Sequence, residues 1–196
     1  MSVTPETVHP VRARAWAPVL AAVAFATLTG CDEDPFEIRW NADPDTVRLY
    51  SLARPEPNLP SGFGFFDRAR IQVETPGSTG LWDVALDTEN GQLVLKPPGA
   101  LGISARAAIA TLGSIPFDDV DDAPSDTLLY ELDDAVIMTV GTVYAIRTNR
   151  RTGNFGATCV HYGKFEPLIL DVTAGEMEFR YVRSQVCNDR SLVPPD

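Results

Sequence analysis

The chain is short of the residues from which most active sites are built. Its 196 residues include three cysteines and two histidines. One histidine, His9, precedes the first cysteine, so beyond Cys31 a single imidazole, His161, remains. Any Ser-His-Asp or Cys-His site would need it as the base, and no G-x-S-x-G elbow accompanies it. A phosphate-cradling G-x-x-x-x-G-K loop and a dinucleotide fingerprint are both missing. Positive charge is scarce as well: 16 Lys and Arg stand against 27 Asp and Glu, a net charge of −11. That balance argues against a nucleic-acid partner, which requires a basic patch to displace counterions. It also argues against docking on anionic headgroups through charge. Carboxylates abound, but no pair stands out at the spacing of a glycosidase acid and base. A hydrolase with dispersed carboxylates is therefore a reading without named residues, and no catalytic residue is assigned.

Long apolar runs are missing too, apart from one near the start. Met1–Arg14 is polar and ends on Arg12 and Arg14, and Ala15–Gly30 follows without a charge. A charged n-region before an apolar h-region is the pattern of a secretory signal. The run is too short and alanine-rich to span a bilayer, which takes about 20 strongly apolar residues. It ends in Leu28-Thr29-Gly30-Cys31, which resembles the lipobox of bacterial lipoproteins. The resemblance implies cleavage between Gly30 and Cys31 and a diacylglycerol thioether on the Cys31 sulfur. At about 0.8 kcal/mol per buried methylene, two or three acyl chains would hold the protein to a membrane. Residues 1–30 are then the signal, 31–35 a lipidated tether, and the envelope of a bacterium the compartment, with the domain in the periplasm or at the cell surface.

The remainder is punctuated for β structure. Sixteen prolines and 14 glycines suit short strands joined by turns. Alternation of apolar and polar residues predicts strands at Phe36–Trp40, Asp45–Leu52, Arg70–Glu74, Leu81–Leu86 and Gln92–Lys96. Asn90-Gly91 closes the last two into a hairpin. β-Branched and aromatic residues add Leu128–Leu132, Ala135–Val140, Thr142–Thr148, Cys159–Val172 and Glu176–Gln185. In the last of these Met177, Phe179 and Tyr181 share one face. Ser104–Gly113 reads as a short helix, with Ser104 as N-cap and Gly113 as stop. Phe117–Asp126 reads as a solvated acidic loop without the spacing of a calcium hand. The expected fold is all-β, an antiparallel sandwich or flattened barrel of eight to ten strands with one short helix, filling residues 36–190 ahead of a polar tail, 191–196.

With Cys31 lipidated, Cys159 and Cys187 are left as an even pair, which in an exported domain reads as a disulfide. If Thr173-Ala174-Gly175 turns the last hairpin, the two cysteines fall within one step of register across its open end, and one bulge would align them. The rival is a metal site on Cys159-x-His161, to which only Cys187 could be added, whereas a closed structural zinc site takes four ligands. His161 and the ring-rich loop Phe63, Phe65 and Phe66 are the candidate ligand-binding residues. The loop equally reads as a core plug.

Leu81–Leu86, Val143–Thr148, Tyr162–Val172 and Gly175–Val182 together resemble the strand order of the HmuY-type haem-binding lipoproteins. The resemblance implies an all-β fold. That family ligates haem iron through two histidines, and this chain has one after Cys31, so no site residue carries over. Two expectations result. The first is a lipid-anchored, non-catalytic domain that binds an envelope protein or a small ligand and needs no cofactor. The second is haem or metal binding by His161, with Met138 or Met177 beside it.

Overall fold

The computed structural model describes residues 43–56, 58–153 and 156–194. The signal segment, Gly30, Cys31, the tether and the strand expected at Phe36–Trp40 lie outside the described residues. Among the described residues, the strands in chain order are β1 (Asp45–Tyr50), β2 (Gly62–Gly64), β3 (Ala69–Ile71), β4 (Val84–Glu89), β5 (Gln92–Lys96), β6 (Ala108–Gly113), β7 (Tyr130–Glu131), β8 (Val136–Ile137), β9 (Val143–Arg147), β10 (Arg151–Thr152), β11 (Thr158–Cys159), β12 (Tyr162–Asp171) and β13 (Glu176–Arg183). They form an antiparallel sheet in the order β1-β13-β12-β9-β6-β7, a second in the order β3-β2-β4-β5-β8, and the two-stranded ribbon β10-β11. The first two pack as an all-β, sandwich-like fold around one main core. No described helix is long and apolar enough to cross a membrane.

Period-2 burial builds that core. Met177, Phe179 and Tyr181 of β13 and Phe165 of β12 face Phe63 and Phe65 from the other sheet. The rings pack edge to face, with centroids 4.9 Å apart for Phe63 and Phe65 and 5.0 Å for Phe63 and Tyr181. Such pairs add roughly 0.5–1.5 kcal/mol each beyond the area they bury. Phe63 and Phe65 are 0% exposed, so the expectation that they present rings to a ligand is corrected: they are the plug. The alternating glycines serve backbone packing, since a Cβ on Gly64 would collide with the Leu81 carbonyl oxygen.

The expected helix at Ser104–Gly113 is not formed. Ala108–Gly113 is a strand paired to both β7 and β9, and the three short 3-10 turns lie elsewhere, at Pro98–Leu101, Phe117–Asp119 and Thr127–Leu129. A ten-residue helix is marginal by itself. As a strand, the small side chains of Ala108 and Ala110 are buried under Tyr130, and the backbone bonds to two neighbours. Gly113, read as a helix stop, stands at φ 98° where the β6-β9 register shifts.

The hairpin β12-β13 aligns the cysteines as its bulge requires. Register shifts between Pro167 and Ile169, where a proline without an N–H is tolerated. Beyond that shift Gly163 lies opposite Arg183, and four residues further out on each side Cys159 meets Cys187. The two form a disulfide with a Cα–Cα distance of 5.3 Å.

The expected polar tail also needs correction. Leu192 is 2% exposed and packs with Phe117, Val120, Ala123, Val143 and Val182. Its N–H donates to Asp121 O (2.7 Å), and Ala123 N–H donates to Arg190 O (2.9 Å). The acidic loop is thus pinned by the C-terminal segment. It is pinned from beneath as well: the buried Lys164 Nζ donates to Phe117 O (2.9 Å) and Val120 O (2.8 Å), beside the Phe117 ring. Burial pushes the Lys164 ammonium down from its ordinary pKa, against the pull of Asp118 and Asp121. Lys164→Met should cost about 2–4 kcal/mol, because two inward carbonyls lose their donor. A urea titration reads this as a lower midpoint, and an unchanged midpoint would mean the carbonyls rehydrate freely.

Candidate functional site

At the disulfide end of the sandwich the inward rows change from apolar to polar. On β13 the row Met177, Phe179, Tyr181 continues to Arg183, which is buried at 9% exposure. On β12 the row runs from Phe165 back through Gly163 to His161, which is also buried. Thr148, Asn149 and Ser184 join them, as does Asp83 at the entrance to β4.

A hydrogen-bond network joins the two sheets here. Asp83 accepts from Asn149 N–H through Oδ1 (2.7 Å) and from Phe65 N–H through Oδ2 (2.8 Å). Asn149 Nδ2 donates to Trp82 O (2.9 Å), and its Oδ1 accepts from Arg106 and Ala107 N–H at 3.0 and 3.1 Å. Thr148 Oγ1 donates to Asn149 O (3.1 Å) and accepts from His161 N–H (2.9 Å). Burial pushes the Asp83 carboxyl up to about 6 against the pull of those N–H donors.

The His161 ring is held rather than free. Nδ1 lies 3.0 Å from Ser184 O. A carbonyl can only accept, so Nδ1 carries the proton and Nε2 is left as the acceptor, 3.5 Å from Cys159 Sγ. Burial first, then the Arg183 charge, lowers the imidazole pKa, so the ring is neutral around pH 7. Its centroid is 5.1 Å from that of Phe66.

Beside this network lies a hollow of about 490 Å³, whose wall includes Phe66, Cys159, His161, Arg183, Val186 and Cys187. The guanidinium carbons of Arg151 and Arg183 lie 5.7 and 5.8 Å from the Phe66 ring centroid. The β10-β11 pairing brings Arg151 here by setting it opposite Cys159. Burial first, then the neighbouring Arg68, pushes the Arg183 pKa down. A larger depression of about 670 Å³, bordered by Tyr50, Leu59, Arg70 and Leu81, has no buried titratable side chain in its wall.

Of the residues singled out in the sequence, His161, Phe66, Cys159 and Cys187 meet at the hollow, while Phe63 and Phe65 do not. Met138 and Met177 are sealed in the main core, and Met177 sits six residues from Arg183 on β13, about 20 Å along an extended strand. Neither stands beside His161. With one imidazole after Cys31, the residues present do not supply the two-histidine ligation of haem that the HmuY-type resemblance implies. No cluster of three or more His, Cys, Asp or Glu suited to a metal occurs among the described residues. Sequence reasoning missed Arg183, Arg151 and Asp83. Arg183 was reachable by extending the period-2 face of β13 by one step, and Asp83 by asking why one carboxylate interrupts Leu81–Leu86.

No protein-family model matches the chain, and no curated protein and no solved structure matches it either.

Proposed function

We propose that this chain is a lipid-anchored lipoprotein of a bacterial envelope whose β domain is a non-catalytic binding module. The observation that carries the reading is the ordered series Arg12 and Arg14, the uncharged run Ala15–Gly30, and Leu28-Thr29-Gly30-Cys31 ahead of a β domain. The Cys159–Cys187 disulfide supports it, because such bonds persist in oxidising compartments outside the cytosol. Acylation of Cys31 also explains the odd cysteine. The hollow at His161 is the place for a ligand. A binding role suits it better than catalysis: both sulfurs beside His161 are tied in a disulfide, which leaves no thiol there as nucleophile.

The test is detergent phase partitioning of the expressed full chain in a bacterial host. The wild type should enter the detergent phase and label with a palmitate analogue. Cys31→Ser should move to the aqueous phase and lose the label. A variant that partitions and labels like the wild type would overturn the anchor.

A further inference from the structure

Resting on the binding role proposed above, the geometry points to a ligand class. The hollow takes a small organic anion, with the ligand's carboxylate or phosphate gripped by the Arg183 guanidinium and its apolar body laid against Phe66 and Val186.

Arg183 is the reason. Its side chain is buried, and among the described residues its Nε is sealed from solvent without a partner and its one side-chain hydrogen bond is Nη2 to Gln185 Oε1 at 3.3 Å. Among the described residues it forms no ion pair, although the chain carries 27 carboxylates. The nearby acids are engaged elsewhere. Asp67 faces Arg151 at 3.7 Å, Asp45 faces Arg68 at 3.6 Å, and Asp83 accepts two backbone N–H groups. A buried cation with no carboxylate in contact, only Asp67 and Asp83 attracting it from further off, costs stability that an apolar side chain at this inward position would not. Such a departure from the rule that builds the rest of β13 marks a place shaped by something other than folding.

The surroundings select the ligand. A guanidinium fork matches two oxygens of a carboxylate or phosphate in one plane. Arg151 adds positive potential at the same ring, and the neutral His161 leaves an acceptor nitrogen on the wall. Phe66, Val186 and the disulfide are apolar. A volume of about 490 Å³ falls within the usual range for small-molecule sites.

Isothermal titration calorimetry on the disulfide-intact full chain in detergent tests this with four probes: benzoate, phenyl phosphate, inorganic phosphate and benzamide. Benzoate or phenyl phosphate should bind, and the tighter of the two identifies the anionic group. Benzamide, of the same shape without the charge, should bind at least about tenfold more weakly, as should the bare phosphate ion. Arg183→Lys keeps the charge but loses the fork and should weaken the better probe by about tenfold or more, and Arg183→Gln should abolish binding. If the Arg183 variants do not fold, Arg151→Gln at the rim should weaken binding by about threefold and flatten its salt dependence. The proposal is overturned if neither organic anion binds at about 10 mM, if benzamide matches benzoate or inorganic phosphate matches phenyl phosphate, or if Arg183→Gln (with Arg151→Gln in its stead where needed) binds like the wild type. These results are independent of the partitioning of Cys31→Ser, so the anchor and the anion site can fail separately.

Discussion

Asp83→Ala is expected to lower the unfolding free energy by about 3–5 kcal/mol at acidic pH. Two inward N–H groups, those of Asn149 and Phe65, lose their acceptor at once, and each unpaired buried group costs about 1–3 kcal/mol. The carboxyl is also the knot between the sheets, so Asn149 loses the bond that orients its backbone while its side chain still serves Trp82, Arg106 and Ala107. The cost should shrink as pH rises. The folded-state pKa of Asp83 is raised from 3.8 to about 6 by burial, so the unfolded chain releases the proton first. The stability held by the protonated form is complete below the unfolded value and drains away as pH climbs through the folded one. A shift of that size corresponds to roughly 3 kcal/mol. The wild type therefore loses an advantage between about pH 4 and pH 6 that the alanine variant never had. Urea unfolding of both proteins at about pH 3.5 and about pH 7 reads the gap directly, the other carboxylates cancelling in the difference. A gap that widens with pH would contradict the assignment.

Removing the disulfide should have the second-largest effect. With its ends 28 positions apart in the chain, the loop-entropy model assigns Cys159–Cys187 about 3–4 kcal/mol. Cys159→Ala combined with Cys187→Ala should lose that much, and the wild type in reductant should converge on the variant. The local consequence is as informative as the global one. The bond ties β11 to the segment after β13, which carries Ser184, the partner of His161 Nδ1, and Val186 of the hollow wall. Reduction should therefore loosen the hollow before the main core unfolds, seen as faster amide exchange at His161 and Ser184 than at Phe165 and Phe179. Equal stability with and without reductant would show that the hairpin register alone holds this end.

Much of this architecture could be read along the chain, because it depends on neighbours in sequence. The Gln92–Lys96 strand, the Asn90-Gly91 turn and the inward row of β13 are local patterns whose period or backbone conformation follows from residue type. The cysteine pairing was legible for the same reason, since a hairpin converts sequence distance into register. The segment Ser104–Gly113 failed because its helix propensity is weak and two strands far along the chain offer it backbone partners. The aromatic loop left two readings open, and the opposing sheet sealed Phe63 and Phe65 while leaving Phe66 at the edge.

The signal pattern, the lipobox-like box, the acidity and the β class were thus set by composition and short-range order alone. The hollow was not. Phe66, His161 and Arg183 come from three separate stretches, and nothing in their spacing marks them as a group. They meet because two sheets close over one another, and because the inward face of β13 ends on a charge with which no carboxylate among the described residues forms an ion pair.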